Sequence, residues 1–412
     1  MRLCTMWAAA GTPLKQPTPT HMKQEAVIRA TIVQPSLAKY RVPVFRELAS
    51  RAGLEVRVVY GSLEGLENVE PQGFDAMATR LYKPTLAGKP LMLQPAQWAN
   101  ASRVKCDVLV LQWSGRYLTL FPTLLRARLN GVGTVLWGHG YSKSQGRPRA
   151  RFHKWLAKFA TAILFYDPRT RDAYIEQGWE PRNLFVALNC LDPREIVAAR
   201  QWWQEHPCEL DQFRRRNQLD QGPVILFVSR LQPANRVDWL IRATAELSKE
   251  LPNLKTVILG NGAAEKDRLQ QIAQDVDAHD NVLFLDGIYD ETKLAPWFLS
   301  ADVFCYPANV GLSLIHALWY GLPVVTTDDL ACQNPEVFAL QHGVTGLTYE
   351  HGNVSSLAAA LRKILRDDTL RKSMADAARR AVENRFTIVS MVDGLEAAIR
   401  FAHLQNRSTG RQ

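Results

Sequence analysis

The residues best suited to chemistry lie in three loops. The run Tyr306-Pro-Ala-Asn309-Val-Gly311-Leu312-Ser313-Leu-Ile-His316 closes a strand-like segment and opens a helix that extends to Tyr320. Gly311 lets backbone approach a ligand. The helix start at Leu312 and Ser313 offers unpaired N–H groups at the positive end of the macrodipole, a setting that favours anions. A second loop, Ser229-Arg230-Leu-Gln-Pro-Ala-Asn-Arg236, follows an apolar strand and precedes a helix. A ligand at the carboxyl edge of a parallel sheet would meet such a loop. The planar donor fork of Arg230 suits phosphate oxygens, and Arg236 is expected to add a second positive charge. In the third loop, Trp137-Gly-His139-Gly140, flanking glycines bring a histidine to a strand end. The plainer readings are a strand-end arginine paired with a surface acid, and histidines satisfied by local backbone or helix packing.

The run 306–325, followed by Gln333-Asn-Pro-Glu336, resembles the donor-site segment of retaining family 4 glycosyltransferases of the GT-B fold. The resemblance implies that the loop and helix start hold the diphosphate and sugar of a UDP- or GDP-sugar, which serves as co-substrate with no further cofactor. Arg230 matches the family's Gly-Arg-Leu…Lys-Gly element. Asn235 stands where that element has lysine, with Arg236 directly after it. The common pattern also carries two glutamates, at the positions of Ala308 and His316 here, so the chain looks like a subgroup with Asn-Val-Gly-Leu…His. By the same resemblance His316 reaches a ribose hydroxyl, Asn309 and Glu336 lie at the donor, and His139 contacts the transferred sugar at the catalytic centre. Front-face substitution lets the leaving oxygen take the acceptor proton, so His139 would position rather than ionise. Tyr40, Arg41 and Arg116 fall in loops expected on the acceptor side. Asp328-Asp329 lacks the intervening residue of a D-x-D element and no other acid pair has that spacing at a strand end, and potential metal ligands do not cluster in the sequence, so the chemistry is read as metal-independent, with arginines and the helix dipole in place of a cation.

Positioning these loops requires two α/β units. Strand and helix patterns alternate twice, which predicts two doubly wound Rossmann-like domains facing a cleft. We divide the chain into a disordered extension (1–25), an acceptor domain (26–192), a connection carrying one charged helix (193–222), a nucleotide-sugar domain (223–386), a helix crossing back (387–404) and a polar tail (405–412). At 412 residues, two cores are the natural expectation.

The composition, 47% hydrophobic and 22% charged, describes a globular chain. Six scattered cysteines form no C-x-x-C pair and read as free thiols in a reducing cytoplasm. No apolar run approaches the ~20 residues of a membrane span. The net charge of +10 is uneven: Val108 to Tyr166 contains no Asp or Glu but nine Lys or Arg residues. Within it Arg147, Arg149, Arg151, Lys154 and Lys158 accompany Phe152, Trp155, Leu156 and Phe159 at helical spacing. This pattern predicts an amphipathic helix on the inner face of an anionic membrane, with a core-facing apolar stripe as the alternative. Nucleic acid is disfavoured, since no binding module accompanies the basic stretch. The expected function is transfer of a sugar to a lipid-linked or glycan acceptor in bacterial exopolysaccharide, O-antigen or related glycan synthesis. A GT-B nucleotide-sugar epimerase and a non-catalytic nucleotide-sugar-binding protein remain as alternatives.

Overall fold

The computed structural model describes residues 27–63, 67–86, 88–141 and 147–409; the extension 1–25, Lys143 and the last three residues of the tail lie outside them. The first domain contains β1 (Ile28–Gln34), α1 (Val42–Ala49), β2 (Leu54–Tyr60), β3 (Asp75–Ala78), a small β4–β5 hairpin (Thr85–Leu86 and Lys89–Pro90) and α2 (Pro95–Asn100). It continues with β6 (Val108–Gln112), α3 (Leu120–Leu129), β7 (Gly133–Trp137), α4 (Arg147–Ala157), β8 (Ala162–Phe165), α5 (Pro168–Glu176) and β9 (Leu184–Val186). Its seven-stranded parallel sheet runs β3-β2-β1-β6-β7-β8-β9. Central strands such as Val108-Leu-Val-Leu are buried on both faces, which is why they read as continuous apolar runs.

The expected single helix between the domains is two helices, α6 (Pro193–Glu205) and α7 (Pro207–Arg216), because Pro207 cannot continue the first. Both pack on the second domain. Ile196 and Ala199 join its core, Arg200 donates to the Trp319 carbonyl at 2.7 Å, and Arg214 donates to that of Leu299 at 2.8 Å.

The second domain contains β10 (Val224–Val228), α8 (Val237–Leu247), β11 (Lys255–Leu259), α9 (Ala263–Asp275), β12 (Val282–Leu285), α10 (Glu291–Ser300) and β13 (Val303–Cys305). Then come α11 (Leu312–Trp319), β14 (Val324–Thr327), β15 (Gly346–Tyr349), α12 (Val354–Arg366) and α13 (Asp368–Arg385). Its parallel sheet runs β12-β11-β10-β13-β14-β15. The last helix, α14 (Ile388–Thr409), returns to the first domain, where Met391, Leu395, Ile399 and Ala402 complete the core against α1 and β7. The approach is close at Gly394, where a Cβ would lie 1.9 Å from the Val186 carbonyl oxygen.

Strand order sets the positions of the functional loops. In the first sheet β1 lies between β2 and β6, and in the second β10 lies between β11 and β13. Chain connections leave each pair in opposite directions and open a crevice at the carboxyl ends of the strands. The loops of Tyr40 and Arg116 flank one crevice, and those of Arg230 and Gly311 flank the other.

Candidate functional site

The second-domain crevice is built by side-chain amides. Asn235, buried, donates from Nδ2 to the Arg230 carbonyl at 2.7 Å and accepts from Asn309 Nδ2 at 3.0 Å. Asn309 adopts a left-handed backbone (φ 63°), a conformation asparagine tolerates. Gln333, wholly buried, accepts from the Val310 N–H at 2.8 Å and donates to Thr326 Oγ1 at 2.8 Å. Asn334 donates to the Val310 carbonyl at 3.0 Å. The loop is therefore held from below while Gly311, Leu312 and Ser313 stay half-buried at its top. A Cβ on Gly311 would meet nothing closer than 3.8 Å, so the protein's own packing leaves the space over this backbone open. Arg230 is exposed at the facing edge.

Arg236 departs from expectation. Its guanidinium is bound twice by Asp238, at 3.0 and 2.8 Å, and lies 4.1 Å over the Trp239 ring. A left-handed residue (φ 53°) starting α8 turns its side chain onto the first helical turn, so its charge is already largely matched by a carboxylate. The segment's second contribution comes instead from Asn235, which braces the two loops.

His316 is satisfied by a residue the sequence reading missed. Its Nε2 lies 2.9 Å from Glu291 Oε1, which also accepts from the Tyr320 hydroxyl at 2.5 Å. Burial alone would raise the Glu291 carboxyl, but the contacts with His316 and Tyr320 outweigh it and hold the group below its ordinary range. Both side chains line a cleft of about 510 Å³ that Tyr40, Arg46 and Asp192 also enclose. A carboxylate thus stands at this end of α11, delivered by the first turn of α10. Only the pairing of elements 25 residues apart in sequence reveals it.

The first domain supplies the opposite wall. His139 is exposed at the end of β7, with its ring 5.0 Å from that of Tyr166. Glu336, 7% exposed, accepts from Asn189 Nδ2 at 2.6 Å across the hinge, and the Tyr141 hydroxyl donates to the Gln333 carbonyl at 3.5 Å. Tyr40 borders the cleft, and Arg116 is exposed at the neighbouring edge. Arg41 does not line the site. It is buried, 4.4 Å over the Trp137 ring, donating to the Tyr166 hydroxyl at 3.0 Å and contacting Met391 Sδ of α14. A weakly hydrated guanidinium can stack within an aromatic cage in this way. Arg41 therefore ties the returning helix to the first domain.

Comparison with known proteins agrees with this architecture. Residues 210–381 match the family described as Glycosyl transferases group 1. The match takes in the whole of the second-domain sheet. Over 183 residues the chain is 34% identical to D-inositol 3-phosphate glycosyltransferase of Kineococcus radiotolerans, covering 38% of this chain and 40% of that protein. It therefore spans less than half the length of that relative. A GDP-mannose-dependent alpha-(1-6)-phosphatidylinositol monomannoside mannosyltransferase of Mycobacterium tuberculosis is 27% identical over 65% of this chain and 69% of its own. The crystal structure of HepE from Anabaena in complex with UDP superposes with a TM-score of 0.66 at 16% identity, covering 90% of this chain and 98% of HepE. The fold is thus GT-B, with Arg230, the glycine loop and Glu336 all inside the segment that matches the family.

Outside that segment, α4 has three faces. Leu156, Ala157 and His153 point into the core. Phe152 (48% exposed) and Trp155 (41%) point outward and stack on each other, and the Trp155 ring lies tilted 4.9 Å from that of Phe121 of α3. The predicted apolar stripe therefore divides: Leu156 packs inside, and the aromatic part remains at the surface. Exposed Leu118, Leu125 and Leu129 extend the patch, with Arg128, Arg151 and Lys158 around it. Lys154 does not join this rim. It turns sideways to donate to Gln177, with its ammonium 5.4 Å over the Tyr174 ring. Arg147 and Arg149 begin the helix, and their side chains lie outside the described residues. Among the described residues no helix is long and apolar enough to cross a membrane.

The fold also gathers Asp329, Cys332 and His351 within 4.8 Å of one another, where the sequence reading expected no cluster of metal ligands. The loop after β14 folds back beside the end of β15, which linear spacing does not show.

Proposed function

We propose that this chain transfers a sugar, with retention, from a UDP- or GDP-sugar to a lipid-linked or glycan acceptor, in the assembly of a bacterial surface polysaccharide or related glycan. One observation carries the reading: the half-buried amides of Gly311 to Ser313 and the exposed Arg230 converge on a single crevice whose other wall belongs to a second domain. The UDP bound in the HepE structure and the GDP-mannose dependence of the mycobacterial relative support a nucleotide-sugar as donor. In this reading the amides and Arg230 stabilise charge that develops on the departing diphosphate, with no metal required of the protein. Glu336 and His139 hold the sugar between the domains, Glu291 and His316 bind the ribose, and the acceptor enters beside Tyr40 and Arg116.

The acid-free face of α3 and α4 supports a peripheral location. Its exposed aromatics and leucines suit an interfacial depth, and the surrounding cations suit an anionic leaflet on the cytoplasmic side.

The deciding experiment is calorimetric titration of UDP and GDP into wild type and Arg230→Ala. Loss of a charge-assisted hydrogen bond costs about 1.5–3 kcal/mol, so affinity should fall roughly ten- to a hundredfold. Equal affinities would remove Arg230 from the donor site. Release of nucleoside diphosphate only when acceptor is present separates a transferase from an epimerase or a binding protein.

A further inference from the structure

A second cavity, of about 280 Å³, lies between the domains on the far side of His139, and the donor reading assigns nothing to it. We propose that it seats a phosphate group carried by the acceptor, with Lys154 and Arg169 as its cationic walls. The inference deepens the transferase reading and rests on it only for the word acceptor.

Position is the first argument. Gly140 and Tyr141, which follow His139, line the cavity on one side, and Pro335 and Val337, which flank Glu336, line it on the other. An occupant therefore abuts the residues that face the transferred sugar. Its volume is slightly below the usual range of ligand pockets and fits a head group rather than an extended glycan.

Charge is the second. Among the described residues neither Lys154 nor Arg169 forms an ion pair: the lysine donates to the neutral amide of Gln177, and Arg169 lies 5.3 Å over the Phe338 ring. Asp167 also borders the cavity, but its oxygens are occupied by the Thr170 N–H and hydroxyl, each at 2.8 Å. Asp167 is committed to the first turn of α5 and Glu336, behind the wall, accepts from Asn189, so the two lining cations face a single lining carboxylate that is already hydrogen-bonded. Exchange of Gln177 for phosphate gives Lys154 an ion pair in place of a hydrogen bond to a neutral acceptor. Burial, followed by the nearby charges of Asp167 and Glu336, pushes the Tyr141 hydroxyl up to about 12, so it remains a donor at neutral pH.

Continuity is the third. Lys154 sits on α4 between Phe152 and Trp155, whose rings point outward, so the helix that carries the exposed aromatics also carries one wall of the cavity. A phosphate anchored in a lipid interface can reach Lys154 along that helix. A soluble phosphate ester has the same head-group chemistry.

The test is calorimetric titration with farnesyl diphosphate, glycerol 3-phosphate and farnesol. Wild type, Lys154→Gln/Arg169→Gln and Arg230→Ala are compared, with thermal unfolding and UDP titration run on each. At least one phosphate probe should bind wild type, weaken tenfold or more in the double variant, and be unaffected by Arg230→Ala. Preference for farnesyl diphosphate, with farnesol silent, identifies a lipid-linked phosphate, and equal binding of glycerol 3-phosphate identifies a soluble one. The proposal is overturned if neither phosphate probe binds, if binding survives in the double variant, or if only Arg230→Ala weakens it. Should UDP fail to bind while the cavity behaves as expected, the donor reading falls and the phosphate site stands.

Discussion

The glycosyltransferase motif that this chain resembles carries glutamate where His316 stands, and the structure predicts that introducing it harms this protein. His316 Nε2 lies 2.9 Å from the Glu291 carboxylate, and both side chains are only 14% exposed. In His316→Glu two carboxylates would share that space. At about 3 Å and an effective dielectric near 20, their repulsion is about 5–6 kcal/mol. The protein avoids that cost by protonating one of them, which for a carboxyl of ordinary pKa near 4.3 costs about 3.7 kcal/mol at pH 7 and about 1 kcal/mol at pH 5. Destabilisation should therefore approach about 3–4 kcal/mol at pH 7 and shrink by about 1.4 kcal/mol per pH unit on acidification. Wild type has the opposite dependence. The folded-state pKa of Glu291 is depressed, so its stabilisation is complete above the unfolded pKa and is lost as pH falls through the folded value. Urea denaturation at pH 7 and pH 5 measures the slope of the variant, a series from pH 5 down to about pH 3 measures that of wild type, and the exchange Glu291→His/His316→Glu should recover much of the loss. If His316→Glu has the wild-type midpoint at pH 7, the argument that Glu291 occupies the motif's carboxylate site is wrong.

Three further outcomes follow from packing and charge. Gly394→Val drives a side chain into the Val186 carbonyl, where a Cβ would already lie at 1.9 Å, so the overpacking should cost about 1–3 kcal/mol and expose α14 to limited proteolysis. Gln333→Leu strands the Val310 N–H and removes the amide donor to Thr326 Oγ1 and the Thr327 carbonyl, and should cost about 1–3 kcal/mol in denaturation while weakening UDP binding. Wild type should sediment with phosphatidylserine-containing vesicles at low salt and be released at high salt, and Phe152→Ser/Trp155→Ser should abolish sedimentation without changing UDP affinity; indifference of wild type to such vesicles would point to a soluble acceptor.

Much of this architecture was legible because it is local. Apolar runs such as Val224-Ile-Leu-Phe and Val108-Leu-Val-Leu specify buried parallel strands, Gly311 followed by an apolar helix specifies an anion-favouring helix start, and Ser229-Arg230 is fixed at a strand end by the residues on either side. Where a side chain pointed after leaving its element was not legible. Arg41 was expected at the cleft but fills a cage made by Trp137, Tyr166 and Met391, residues up to 350 positions away. Arg236 turns onto Asp238 and Trp239 because its own backbone is left-handed, and Lys154 turns away from the exposed aromatic face towards Gln177. Strands, the loops at their carboxyl ends and the types of group those loops carry are set locally, because periodicity and turn chemistry act over a few residues. Which groups are already paired and which still face the cleft is settled by the packed fold, because pairing depends on distances between elements far apart in the chain, as with Glu291 and His316 or Asn189 and Glu336.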